Sequence, residues 1–307
     1  MKIQIENKDV NLPDFLMIGS AKCGTTTIFQ YLQQQPSIFL PENKEPFYFS
    51  FGNKPSTYTD SRFNSMVTWK KEEYFKLFET AGTNQIIGEA STSYLYTATK
   101  TIENIKSIYG KKAHELKIIV ILRNPTDRAF SHYTHLVRNG IEKLTFKEAI
   151  KSENIDKRSK EMWGFDYTGY GMYGEQFKPF KEYFKNILVL QYEELSEPKL
   201  MMGKIYNFLG ITNPIVVDKV IEANPSGIPK SKIATSLIRN KRIKKIIKSI
   251  APNAMFPALQ RLKDRLLKKS VVKPEMSIES RQYLRSFFQD DISLLESLIN
   301  KDLSSWK

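Results

Sequence analysis

The chain has 307 residues, 41% of them hydrophobic, and a net charge of +14. That is enough apolar side chain for one large α/β domain or two small ones. A single cysteine excludes an internal disulfide, and no apolar run reaches the roughly 18 residues a membrane-spanning helix needs. The polar opening, Met1–Asp14, predicts no leader or anchor, and with one thiol it points to a cytoplasmic protein.

The charge is local. Lys230 to Lys273 holds 14 Lys/Arg and one acid, Asp264, and so nearly all of the excess. Such a face suits an anionic glycan or an acidic membrane surface. Only Phe256 offers a ring there, so stacking on nucleic-acid bases is not expected and no specific nucleic acid is predicted.

In chain order, Phe15-Leu16-Met17-Ile18 reads as a buried strand, followed by Gly19-Ser20-Ala21-Lys22-Cys23-Gly24-Thr25-Thr26-Thr27. A helix is predicted from about Thr25 to Gln34, with Pro36 beyond its end. Ile38–Leu40 is a short strand, and Pro41–Phe49, with two prolines, an irregular but well-positioned loop. Lys70–Glu79 has helical spacing, and Gln85–Glu89 reads as a strand. A helix over Thr99–Tyr109 leads to the strand Leu116–Leu122. Asn124-Pro125 opens the next helix, which runs on through Arg128, Ser131 and His135. Lys151–Gly171 is loop-rich, Tyr173–Phe184 helical and Ile187–Leu190 the last strong strand. Ser280–Leu298 is a final helical region. Alternation of this kind predicts an α/β fold: a P-loop-like parallel β-sheet with helices on both faces and a helical C-terminal region. Residues 1–307 are expected to form one domain, with 230–273 a basic helical elaboration inside it. Ligands of such sheets sit at the carboxyl ends of strands, where Gly19–Thr26, Glu89–Thr92 and Arg123–Ser131 all lie.

A glycine-bounded turn between strand and helix aims several N–H groups at one spot, which suits a phosphate or sulfate. The loop resembles a nucleotide P-loop with an informative difference. GxxxxGK[ST] would place Lys at position 25, where this chain has Thr25; its one loop lysine is Lys22. The strand Ile118–Leu122 ends in Arg123, not in an acid for magnesium. A kinase needs both groups, so a degenerate P-loop nucleotide-binding kinase stands as an alternative. A basic membrane- or nucleic-acid-binding protein is the other.

Lys22-Cys23-Gly24-Thr25-Thr26 after a strand resembles the 5′-phosphosulfate loop of sulfotransferases that use 3′-phosphoadenosine-5′-phosphosulfate (PAPS). The similarity is nearest to the heparan-sulfate and bacterial carbohydrate branch. Ile121-Leu122-Arg123-Asn124-Pro125, with Ser131 eight residues past Arg123, resembles the family's 3′-phosphate site. A planar guanidinium leaving a strand end suits a phosphate dianion, and Ser131 can donate from two turns into the next helix. A structural ion pair of Arg123 with Asp127 is the plain alternative. Lys44-Glu45-Pro46-Phe47-Tyr48-Phe49 resembles the stretch bearing the catalytic carboxylate, which implies Glu45 as general base, with Glu42 its nearest competitor.

The resemblance thus implies catalytic Glu45 and Lys22, and cofactor binding by Lys22, Cys23, Gly24, Thr25, Thr26, Arg123 and Ser131. It also implies PAPS as co-substrate, adenosine 3′,5′-bisphosphate (PAP) as product, and no metal. His132 and His135 are rivals as base, because the aryl branch uses a histidine; packing or surface roles are expected for both. Glu89 either orients Lys22 or substrate, or caps a structural hydrogen-bond set. Near the end only Lys269 matches a lid segment of relatives. The expected function is transfer of a sulfonate group from PAPS to a hydroxyl or amine of a carbohydrate or glycolipid, in the cytoplasm, with peripheral membrane or glycan contact through Lys230–Lys273.

Overall fold

A computed structural model describes residues 1–53, 58–215 and 274–307, and the backbone of 228–229 and 271–272. The basic stretch expected between Lys230 and Lys273 therefore lies outside the described residues, apart from the short strand at its end. So does Lys269.

Five parallel strands form the central sheet: β3 (Phe15–Gly19), β4 (Ile38–Phe39), β5 (Ile86–Ala90), β6 (Lys117–Leu122) and β7 (Ile187–Gln191). Their spatial order is β4-β5-β3-β6-β7. β3 is central because it is apolar throughout, and all five of its residues are buried. Alternate side chains go to opposite layers. Phe15 and Met17, with Ile119 and Ile121 of β6, pack on Ile28, Tyr31, Met201 and Tyr206 of the helices Thr25–Leu32 and Pro198–Leu209. Leu16 and Ile18, with Ile118 and Val120, face the larger layer built by Ala98–Tyr109, Pro125–Arg138, Tyr173–Tyr183 and Ile278–Ile299. A strand buried on both faces must read as a continuous apolar run, and an Ile121→Ala change in it would cost about 2–5 kcal/mol.

Three features differ from the sequence reading. Residues 1–11 form a hairpin, β1 (Lys2–Ile5) and β2 (Lys8–Asn11), turned at Glu6 and Asn7, which both have positive φ. Tyr48–Phe51 closes into one helical turn inside the expected irregular loop, entered through Phe47 at φ 56°. A further helix, Ser152–Arg158, occupies part of the stretch expected to be loop-rich. Two more short strands, β8 (Ile228–Pro229) and β9 (Val271–Val272), pair antiparallel. The C-terminal helix is anchored by Asp291, whose carboxylate accepts the N–H groups of Gly174 (2.8 Å) and Glu175 (3.0 Å) at the start of Tyr173–Tyr183.

Candidate active site

The carboxyl ends of β3, β5 and β6 open on a cleft of about 690 Å³. Lys22, Gly24, Thr25 and Thr26 line it from the first loop, Thr92 from the turn after β5, and Arg123 and Ser131 from the third connection. Glu45 enters from the loop beyond β4. Residues as far apart in sequence as Lys22 and Ser131 thus line one cleft, because parallel strands deliver their following loops to the same edge.

The first loop is shaped by backbone. Lys22 has φ 70° and Gly24 φ 83°. At this left-handed φ any side chain on Gly24 is strained, and its Cβ, 2.2 Å from Leu195 Cδ1, would also push that side chain aside. The Lys22 conformation costs on the order of 1 kcal/mol in a non-glycine residue. The amides of Thr25 and Thr26 head the helix Thr25–Leu32, where N–H groups have no partner one turn back. Cys23 is the exception among the loop residues expected to bind cofactor. Its thiol is fully buried, near Ala21 O (3.7 Å) and Tyr173 Oη (3.8 Å), and its N–H donates to Ser20 O. Cys23 packs the turn from beneath, and burial pushes its thiol pKa up.

Positive charge is concentrated without counter-ions. Neither Lys22 nor Arg123 forms an ion pair among the described residues. Asp127, the acid offered by sequence as a partner for Arg123, pairs instead with Arg281 at 2.9 Å. The Arg123 guanidinium lies over the Tyr192 ring, 4.4 Å from its centroid. Below the cleft Arg128 is fully buried, donates to Tyr167 O and faces His132 Nδ1 at 3.4 Å; no carboxylate among the described residues meets it. Burial, then the nearby Arg138 and Arg123, pulls the Lys22 pKa down to about 8. Holding this ammonium charged at neutral pH costs roughly 3 kcal/mol, a cost that a bound anion offsets.

Glu45 is tied on both sides. Its Oε1 is 2.7 Å from Lys44 Nζ, and its Oε2 accepts from Thr92 Oγ1 at 3.1 Å. Lys44 also donates to Thr25 Oγ1 at 3.4 Å, joining the carboxylate loop to the anion loop. Behind them Glu89 is fully buried and accepts from Ser91 Oγ (2.6 Å), Tyr74 Oη (2.9 Å) and Tyr94 Oη (2.8 Å). Ser91 Oγ in turn accepts from Phe47 N (3.1 Å), and Tyr94 Oη from Phe49 N (3.4 Å). Of the two roles weighed for Glu89, these bonds describe the structural one: it orders the segment that follows Glu45. Burial lifts its pKa to about 7 against the pull of its three hydroxyl donors.

The profile of the sulfotransferase domain family matches residues 12–250. The chain belongs to this sulfotransferase family. It is 28% identical over 191 residues to the "Membrane-associated sulfotransferase kil1" of Dictyostelium discoideum, covering 60% of this chain and 36% of that protein. It is 25% identical over 311 residues to the mouse (Mus musculus) "Bifunctional heparan sulfate N-deacetylase/N-sulfotransferase 4", covering 96% of this chain and 31% of that protein. The chain thus spans about a third of the length of these curated relatives. The crystal structure of a sulfotransferase from Alicyclobacillus acidocaldarius is similar throughout, with 29% identity, a TM-score of 0.72 and coverage of 97% of this chain and 99% of that one.

His132 and His135, the two histidines weighed as rival bases, both line the cleft, and His132 is buried. The sequence carried that signal, since Ser131 and His135 are one turn apart on one helix. A guanidinium can only donate, so Arg128 at His132 Nδ1 leaves the hydrogen of that ring on Nε2, whereas His135 meets Arg138 at Nδ1 (3.2 Å) and the Asn139 side-chain amide at Nε2 (2.9 Å). Burial holds the His132 pKa well below the ordinary range, with Arg128 and Lys22 adding to it. Burial, then Lys22 and Arg138, brings His135 to about 4. Both imidazoles are neutral at pH 7. Among the described residues no group of three His, Cys, Asp or Glu side chains is placed to hold a metal.

Proposed function

We propose that this chain transfers the sulfonate group of PAPS to a hydroxyl (or amine) of a carbohydrate or glycolipid acceptor, the whole chain working as one sulfotransferase domain. The observation that carries the reading is the meeting of Lys22, Arg123, Ser131 and Glu45 in one cleft. The residues fit the donor: a cradle of N–H groups and two cations without acidic partners among the described residues need anions to complete them. The full-length match to a solved sulfotransferase supports the single-domain reading.

In this mechanism Glu45 takes the proton of the acceptor hydroxyl as its oxygen attacks sulfur. The new bond joins acceptor oxygen to sulfur, and the bond from sulfur to the 5′-phosphate oxygen breaks. Lys22 meets the negative charge that appears on the departing phosphate. The amides of Gly24, Thr25 and Thr26 hold that phosphate, while Arg123 and Ser131 hold the 3′-phosphate. His132 carries its hydrogen on Nε2 and is a donor there, and both ring nitrogens of His135 are already engaged, by Arg138 and Asn139, which supports the carboxylate as the base.

The carbohydrate part of the acceptor rests on a relative named for heparan sulfate. A cytoplasmic location is proposed from the single thiol. Peripheral membrane contact is proposed from the charge of Lys230–Lys273 and from a relative named as membrane-associated. Separately, no helix among the described residues is long and apolar enough to cross a membrane.

The test is thermal unfolding with and without PAP, followed by an acceptor screen with labelled PAPS. PAP at 100 times its Kd stabilises by about 2.7 kcal/mol. No shift at millimolar PAP overturns the reading.

A further inference from the structure

The cleft is chemically divided. Its cations and loop amides cluster around Lys22 and Arg123, with Tyr192 and Leu195 beside Gly24. The part next to Glu45 is walled by Phe47, Phe63, Met66, Ile141, Met162 and Trp163. This wall is built as a unit. Trp163 packs edge-on against Phe47 and Phe63, with ring centroids 5.9 and 6.0 Å apart. Phe47 and Phe63 belong to one aromatic cluster, against which Met162 and Trp163 pack. Phe47 and Phe63 are themselves buried, so the surface offered to a ligand is that of the half-buried Met162 and Trp163 and of Met66, which is 54% exposed.

Charge decides what such a wall accepts. Among the described residues Lys22 and Arg123 are the only lysine or arginine lining the cleft, and the donor's phosphates claim both. The acceptor half presents Glu45 and neutral imidazoles. Lys44 is already paired with Glu45, so an acidic sugar placed there would lose water and find no unpaired lysine or arginine among the described residues lining that half. An aromatic wall instead takes the apolar face of a neutral ring and an alkyl tail.

Resting on the sulfotransferase reading above, we infer that the acceptor is an uncharged amphiphile of the glycolipid type. Its reacting hydroxyl sits at Glu45 and its apolar body lies along Trp163 and Met162, backed by Phe47 and Phe63, toward Met66. Each methylene laid on such a wall adds affinity until the wall ends.

The experiment is calorimetric titration of the PAP-loaded protein with methyl glucoside, octyl glucoside below its micelle concentration, and a heparosan hexasaccharide. The inference expects octyl glucoside to bind at least tenfold more tightly than methyl glucoside, and more tightly than the hexasaccharide. Trp163→Ala should erase most of that difference while PAP affinity stays within twofold. Because Trp163 is packed among aromatic rings, Met66→Lys at the exposed rim is the second variant; it should weaken octyl glucoside binding at least threefold. Equal affinities for the two glucosides, or preference for the acidic hexasaccharide, overturn the inference with PAP binding intact. So does loss of PAP affinity in Trp163→Ala, which would assign the wall to the purine. Failure of the wild type to bind PAP overturns the sulfotransferase reading itself, and this inference with it.

Discussion

Thr92 donates a 3.1 Å hydrogen bond to the Oε2 atom of Glu45, joining the turn after β5 to the loop that follows β4. The other carboxylate oxygen is held by Lys44. Two fixed partners leave little freedom to swing, so Glu45 is aimed before any acceptor arrives. Glu45→Gln keeps the shape and removes the proposed base. Turnover should fall about 10²–10⁴-fold while the PAP-induced thermal shift survives. Thr92→Val loosens the aim only, and a loss of about tenfold in kcat with PAP affinity unchanged is expected. Retained activity in Glu45→Gln would move the base to another residue.

Lys22 is held charged against its surroundings, and its removal should reveal the cost. Lys22→Met is expected to raise the melting temperature of the unliganded protein by several degrees, since up to about 3 kcal/mol of desolvation is relieved. The same variant should lose the PAP-induced shift. A destabilised Lys22→Met protein would mean that the ammonium is paired in the resting molecule.

The same group sets a pH dependence. With its pKa near 8, Lys22 loses its proton in the free protein above that pH. A bound phosphate favours the charged form, so binding takes up a proton. PAP affinity should be flat from pH 7 to 8 and then fall by up to tenfold per pH unit. Calorimetry in two buffers of different ionisation enthalpy at pH 8.5 should show proton uptake approaching one per site; none would contradict the assignment.

Glu89 titrates on the other side of neutrality. Its folded pKa, about 7, is above its unfolded value. The folded state therefore binds the extra proton between roughly pH 4.5 and 7, and stability from this group is full at the acid end and lost as pH rises through 7. Between pH 6 and 8 the loss should be about 1 kcal/mol, measured by urea unfolding. Glu89→Gln should flatten that slope. Through the links to Phe47 and Phe49 it should also lower kcat more than it changes PAP affinity.

Arg123 lies over Tyr192 and has no acidic partner among the described residues. Arg123→Lys keeps the charge but gives up the planar fork. A loss of tenfold or more in PAP affinity is expected from titration, with apo stability changed by less than about 1 kcal/mol. Equal affinity would reduce Arg123 to a point charge.

The sheet was legible because burial on both faces leaves a mark that polar residues cannot imitate: Phe15–Ile18 and Ile118–Leu122 are unbroken apolar runs. Lys22, Arg123 and Ser131 were legible because each follows such a run at a spacing that chemistry explains. The hairpin at residues 2–11 was not, since it turns on Glu6, a residue without turn preference held at φ 50°. Nor was the Tyr48–Phe51 turn, whose apolar sequence is equally compatible with an extended segment. Trp163 could not be placed, because it joins Phe47 and Phe63 only through tertiary packing across a hundred residues. Cys23 sat in the right loop but on its inner side, a difference of one backbone direction that composition does not encode.

Asn124, next to Arg123, accepts the amides of Thr126 and Asp127 through its side-chain oxygen, and its amide nitrogen reaches Trp306 O at 3.3 Å. Trp306 is itself buried, near the Tyr173 ring. One carboxamide thus couples the guanidinium proposed to hold phosphate to a residue 182 positions away. Tags or proteolytic nicks close to Trp306 should therefore weaken PAP binding from the far side of the fold. A spacer there is the prudent choice for anyone measuring affinity.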